Sequence, residues 1–140
     1  MTTQLIYASI ATRDFDDKEL SALLATCVRN NAQLDITGLL LYSQGTFLQV
    51  LEGPDAAVDD IMARVTADPR HHQVDTLLRS DIKTRDFSQW HMGFRRVGKS
   101  DALALPRYAP FFENGFDVRQ IGARPDASLE IMKALLEVAA

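Results

Sequence analysis

The stretch ITGLLLYSQGTFLQVLEG, residues 36–53, constrains this chain more than any other. Two apolar runs, 36–42 and 47–51, are joined by Ser43-Gln44-Gly45. A short break containing glycine between β-rich runs reads as a hairpin. Leu39, Leu40 and Leu41 stand side by side, as do Phe47, Leu48, Val50 and Leu51. Successive side chains of a strand point to opposite faces, so both faces of this hairpin must be covered. Gln49 lies in the middle of the second run. A buried amide left without partners costs on the order of 1–3 kcal/mol, so the groups that meet Gln49 become the central question.

A chain of 140 residues is long enough to bury a core as one domain. Its 46% hydrophobic and 24% charged residues are ordinary for a globular protein. A net charge of -4 argues against direct binding of nucleic acid. No window approaches the roughly 20 apolar residues of a membrane span, and the opening MTTQLIYASI lacks the basic and apolar regions of a signal peptide. Cys27 is the single cysteine, which excludes an internal disulfide and fits a reducing, cytoplasmic compartment.

The hairpin is flanked by elements of two periods. Residues 3–10 alternate as a strand that places Leu5, Tyr7 and Ser9 on one face. Asp16 with Glu19 forms a capping box, and Leu20, Leu23, Leu24, Cys27 and Asn31 recur at helical spacing behind it. Asn30 and Asn31 read as its terminators, although Asn31 also continues the inward stripe. Pro54 opens a second helix, with Val58, Ile61, Met62 and Val65 on its apolar side and Arg64 near its end. Residues 68–72 read as a polar turn whose adjacent histidines, His71 and His72, make a poor metal site. Residues 74–82 predict a fourth strand, with Val74, Thr76 and Leu78 sharing a face. Residues 90–97 predict a fifth, with Trp90, Met92 and Phe94 on one side and His91 on the other. Asp126 caps a last helix with Leu129, Met132, Leu135 and Leu136 on one stripe, expected on the second face of the sheet. With right-handed crossovers the order βαββαββ predicts an α+β, ferredoxin-like sandwich. Two helices lie on one face of a five-stranded mixed sheet, with further C-terminal helices on the other.

LIYAS at 5–9, NN at 30–31, ITGLLLY at 36–42, GTFLQVLEG at 45–53, DPRHH at 68–72 and WHMGF at 90–94 stand in this order along the chain. Together they resemble the BLUF domains, blue-light sensors that use flavin. The resemblance implies a flavin-binding sensor over residues 1–97 and a helical extension over 98–140, as in short stand-alone members of the family. It implies FAD as the cofactor, with FMN able to occupy the site, and a ring held between the two helices against the sheet. Tyr7 and Gln49 then match the photoactive pair, and Trp90 and Met92 the fifth-strand pair that responds to light. Asn31 matches the residue at the polar edge of the ring, with Asn30 beside it. Leu23 and Val65 would sandwich the ring. Arg64, Asp68, Arg70 and His71 lie where the ribityl chain and phosphates emerge. His91 departs from the serine frequent at its position. The implied function is not catalysis: light drives electron and proton transfer from Tyr7, the hydrogen bonds of Gln49 rearrange, and the signal passes to an effector protein. No reactive cysteine is needed, so Cys27 reads as core. Dimerisation through the apolar tail stays open.

Two other readings of the residues compete with this one. An acylphosphatase-type hydrolase on a similar sandwich would use Arg13 with Asn30 or Asn31, but the loop around Arg13 lacks glycines to cradle a phosphate. A regulatory module binding a colourless small molecule would share the fold alone.

Overall fold

The computed structural model describes residues 2–12, 15–43, 45–89, 91–96, 129–130 and 132–133. The described elements run β1 (Thr2–Ala11), α1 (Asp17–Gln33), β2 (Thr37–Ser43), β3 (Thr46–Gly53), α2 (Asp55–Ala67), β4 (His71–Ile82) and β5 (Gly93–Arg96). The strands form one sheet in the order β4-β1-β3-β2-β5, antiparallel throughout except for the parallel β2–β5 pair. This is the expected ferredoxin-like arrangement with an added edge strand.

The hairpin occupies the middle of the sheet, and every residue of β2 and β3 is buried. Alternation divides them between two interiors. Leu5, Tyr7, Leu40, Tyr42, Phe47 and Leu51 join Leu20 of α1 and Val58 and Ile61 of α2 in the core under the helices. Ile6, Ala8, Leu41, Leu48 and Val50 alternate with them and are fully buried too, so the second face is also covered. Met132, in the short described part of the C-terminal segment, is fully buried, and Lys133 pairs with Asp86 at 3.4 Å. The rest of that segment lies outside the described residues.

The capping box forms at the start of α1: the Glu19 backbone N–H donates to the Asp16 carboxylate at 2.8 Å and the Glu19 side chain accepts from Asp16. The helix runs past its expected stop to Gln33, so Asn30 and Asn31 sit within its last turn. The reversal instead falls at Asp35, whose φ is 57°, a conformation aspartate tolerates better than most residues.

Strand β4 begins three residues earlier than its sequence pattern predicts, taking in His71 and His72, which the sequence places in a turn. Its alternation is also interrupted. Ile6 faces Leu78 while Tyr7 faces Thr76, so Leu77 is an extra residue, and a second shift lies between the partners of Ala8 and Ile10. Each bulge transfers the following side chains to the other face. Thr76 and Leu78 therefore do not share a face as expected, and Arg79 turns to α2, where it pairs with Asp55 and Asp59. Strand β5 is shorter than predicted and starts at Gly93, which leaves Met92 in the connection that precedes it.

That connection is fastened by a buried carboxylate. Glu52, 0% exposed at the end of β3, accepts from the backbone N–H of Asp86 at 2.9 Å and of Phe87 at 2.8 Å, and from the Gln4 amide at 2.8 Å. Hydrogen bonds to a charged acceptor are the stronger kind, and here they compensate the burial of a group that would otherwise be costly.

Candidate functional site

Register builds the floor of the site. Across the helix side of the sheet, Thr76, Tyr7, Gln49, Leu40 and Phe94 stand opposite one another in turn on β4, β1, β3, β2 and β5. Opposed side chains on one face of an antiparallel pair are in contact range, so Tyr7 and Gln49 meet. The Tyr7 hydroxyl donates to Gln49 Oε1, and Gln49 Nε2 donates to Met92 Sδ at 3.2 Å. The amide in the middle of the apolar run is thus satisfied from both ends, by a phenol and a thioether. Gly38 keeps the approach open: a Cβ there would come within 1.9 Å of the Val50 carbonyl oxygen and 3.4 Å of the Met92 methyl.

Above this floor a cavity separates α1 from α2, with an empty space of about 700 Å³ including its open mouth. Helix α1 contributes Leu23, Thr26, Cys27, Asn30 and Asn31, and α2 contributes Ile61, Arg64 and Val65. Asp68 and Arg70 stand after α2, and Tyr7, Leu40, Phe47 and Gln49 line the sheet side. Nine of the sequence-derived site residues are therefore brought to one cavity: Tyr7, Leu23, Asn30, Asn31, Gln49, Arg64, Val65, Asp68 and Arg70. Met92 joins them through Gln49. Trp90, the His71 side chain and Arg13 lie outside the described residues.

Cys27 is not plain core as expected; it packs on the core and also walls the cavity. The signal for this was present, because Leu23, Cys27 and Asn31 repeat every four residues on one helix face. Leu40 follows from the hairpin register that opposes it to Gln49. Phe47 and Ile61 carry no signal beyond an ordinary core pattern.

The electrostatics grade from a dry floor to a charged mouth. Tyr7 and Gln49 are 2% and 4% exposed. Burial pushes the Tyr7 phenol well above its usual range, with Cys27 and Asp68 adding to the effect, so it stays protonated. Burial likewise raises the Cys27 thiol, opposed by Arg70, which makes a thiolate unfavourable. At the mouth the Arg70 guanidinium grips the Asp68 carboxylate, with Nε at 3.0 and 2.9 Å from its two oxygens. Arg64 pairs with Asp60 at 3.0 Å on the exposed side of α2.

An apolar slot with two buried amides and a phenol at its base and two guanidinium groups at its rim fits a flavin. The ring carries donors and acceptors along one edge, which amides can match, and its tail carries phosphate. Among the described residues no three metal-ligating side chains cluster.

The family model described as sensors of blue light using FAD matches residues 2–93. The chain belongs to the BLUF family. It is 44% identical over 89 residues to the photoactivated adenylate cyclase subunit beta of Euglena longa, covering 63% of this chain and 10% of that protein. It is 36% identical over 89 residues to the blue light- and temperature-regulated antirepressor BluF of Escherichia coli K12, covering 64% of this chain and 22% of the other. The match therefore spans about a tenth and about a fifth of the lengths of these relatives. In fold it resembles BlrB, a BLUF protein in its dark state, with a TM-score of 0.78 over 96% of this chain and 94% of the other at 24% identity. The family model describes its members as sensors of blue light. No helix among the described residues is long and apolar enough to cross a membrane.

Proposed function

We propose that this BLUF chain binds a flavin, natively FAD, between α1 and α2 and converts blue-light absorption into a changed hydrogen-bond network around Gln49. The reading rests above all on the buried chain Tyr7–Gln49–Met92 at the base of the cavity. Leu23 and Val65 clasp the ring from the two helices, while Asn31 and Asn30 serve its polar edge. Arg64 and Arg70, the latter oriented by Asp68, receive the phosphates, and the family resemblance alone adds His71 to them. A charged rim favours a phosphate-bearing flavin over riboflavin, and FMN remains an acceptable occupant.

A bound flavin would supply the light absorption and an acceptor for an electron and a proton, which Tyr7 would donate. Tyr7 is suited to that exchange because its phenol holds its proton at rest and lies against Gln49 Oε1. Losing and regaining the proton breaks and remakes that bond, which lets the Gln49 amide return rotated or tautomerised. Its contact with Met92 must then change, since an amide offers a donor on one side and an acceptor on the other. Met92, at the entry to β5, carries the change out of the site, and the family resemblance alone extends that role to Trp90. An effector protein with different affinities for the two states reads it. Relatives named as light-activated cyclase subunits and as an antirepressor support such a hand-over. Met132 is buried within a single chain, and homodimerisation is not part of the proposal.

The purified protein should show flavin absorption that shifts slightly to the red under blue light and relaxes in the dark. Gln49→Leu should retain flavin and lose the shift. A colourless protein that takes up no added flavin would sink the reading and return attention to the hydrolase and colourless-ligand alternatives.

A further inference from the structure

His91 has no part in the chemistry above, yet its ring is not free. A carbonyl oxygen can only accept, so the contact of His91 Nδ1 with the Ile36 carbonyl oxygen at 3.1 Å makes Nδ1 the donor. Ile36 is fully buried just before β2, and its own N–H donates to the Asn31 carbonyl at 2.9 Å. The Asn31 side-chain amide, 2% exposed at the end of α1, donates to the His91 carbonyl at 2.9 Å. Asn31 of α1 and two residues from the connections before β2 and β5 thus close a ring of hydrogen bonds: Asn31 to His91, His91 to Ile36, Ile36 to Asn31. The residue after His91 is Met92, whose sulfur accepts from Gln49.

We propose that His91 is a positioning residue of the photocycle. Its imidazole pins the segment entering β5 to the start of β2, and so holds the Met92 thioether at the donor side of Gln49. The inference rests on the photosensor reading but assigns a residue that reading does not use. Arg85 fastens the same connection farther back, donating to the Asp35 carbonyl at 2.9 Å and to Thr37 Oγ1 at 3.1 Å. Between Arg85 and β5, His91 supplies, among the described residues, the side-chain tether nearest in sequence to Met92. The contact between Met92 and Gln49 belongs to the arrangement in which Gln49 Oε1 accepts from Tyr7, the resting one. Holding Met92 in place therefore favours the return to rest. Removing the tether should slow that return, by the factor of about three to ten that a single net hydrogen bond carries.

The test compares dark recovery of the red-shifted state in flavin-loaded wild type, His91→Leu and His91→Asn. Leucine keeps bulk and removes the donor; the Asn amide nitrogen, attached at the same γ position as Nδ1, restores one. Flavin content and melting temperature are measured alongside. The expected result is slower recovery in His91→Leu, recovery close to wild type in His91→Asn, and equal flavin content in all three. Recovery in His91→Leu as fast as wild type or faster overturns the inference. Equal slowing in both variants overturns it too, because the ring rather than its donor would then matter. A wild type that binds no flavin or shows no shift fells the photosensor reading and this inference together, whereas a cycling wild type beside an unaltered His91→Leu fells this inference alone.

Discussion

The Tyr7 hydroxyl occupies a nearly dry position, 2% exposed, and its acceptor is the buried amide oxygen of Gln49. Desolvation raises its pKa, with Cys27 and Asp68 as lesser causes. The consequence for stability has a definite sign. In the unfolded chain the phenol ionises near pH 10, while in the folded chain it remains neutral above that. The unfolded state therefore binds fewer protons there, and stability falls as the pH rises from about 10 toward the raised folded value. Below about pH 9 the group contributes no slope. Urea unfolding at pH 9 and pH 11 should show a loss that is smaller in Tyr7→Phe than in wild type; equal losses would mean that this phenol is not held neutral by the fold. The pairing of Tyr7 with Gln49 was legible in the sequence only through the family resemblance. Spacing alone shows two polar groups in apolar strands, and the register that opposes them is a long-range property.

At the scale of elements, the connection from β4 to β5 delivers Met92, and Glu52, Arg85 and His91 are among its anchors. Glu52 is the most deeply buried of them. Replacing it by alanine would strand the N–H groups of Asp86 and Phe87, each such loss costing about 1–3 kcal/mol before relaxation, while the Gln4 amide keeps its bond to Asp86 at 2.8 Å. Glu52→Ala should lower unfolding stability by roughly 3 kcal/mol in urea titrations, and a change under about 0.5 kcal/mol would show that the loop does not depend on it. The helices and the central hairpin were readable because caps, stripes and apolar runs are local signals. The strand edges were not. Two bulges shift the alternation of β4, and β5 begins late because Met92 is drawn to Gln49 rather than into the ladder. Those outcomes are decided by partners distant in sequence, which periodicity cannot report.

For the whole molecule, the sheet has two buried faces and the two helices cover one. The second face is buried as well, Met132 of the C-terminal segment is fully buried, and Lys133 reaches Asp86 beside the Glu52 anchor. This places the tail next to the connection that carries Met92, a short route from the Gln49 network to a surface an effector could read. Deleting residues 126–140 should expose apolar surface and lower the melting temperature by about 5 °C or more, since burying one methionine side chain is worth about 1.5–3 kcal/mol. An unchanged melting temperature would detach the tail from the fold. The central claim is that light acts through Tyr7 on the hydrogen bonds of Gln49, and its most direct test is the light-minus-dark absorption spectrum of flavin-loaded Tyr7→Phe beside wild type. The account predicts a reversible red shift in wild type and none in the variant at equal flavin content. A normal red shift in Tyr7→Phe would contradict it.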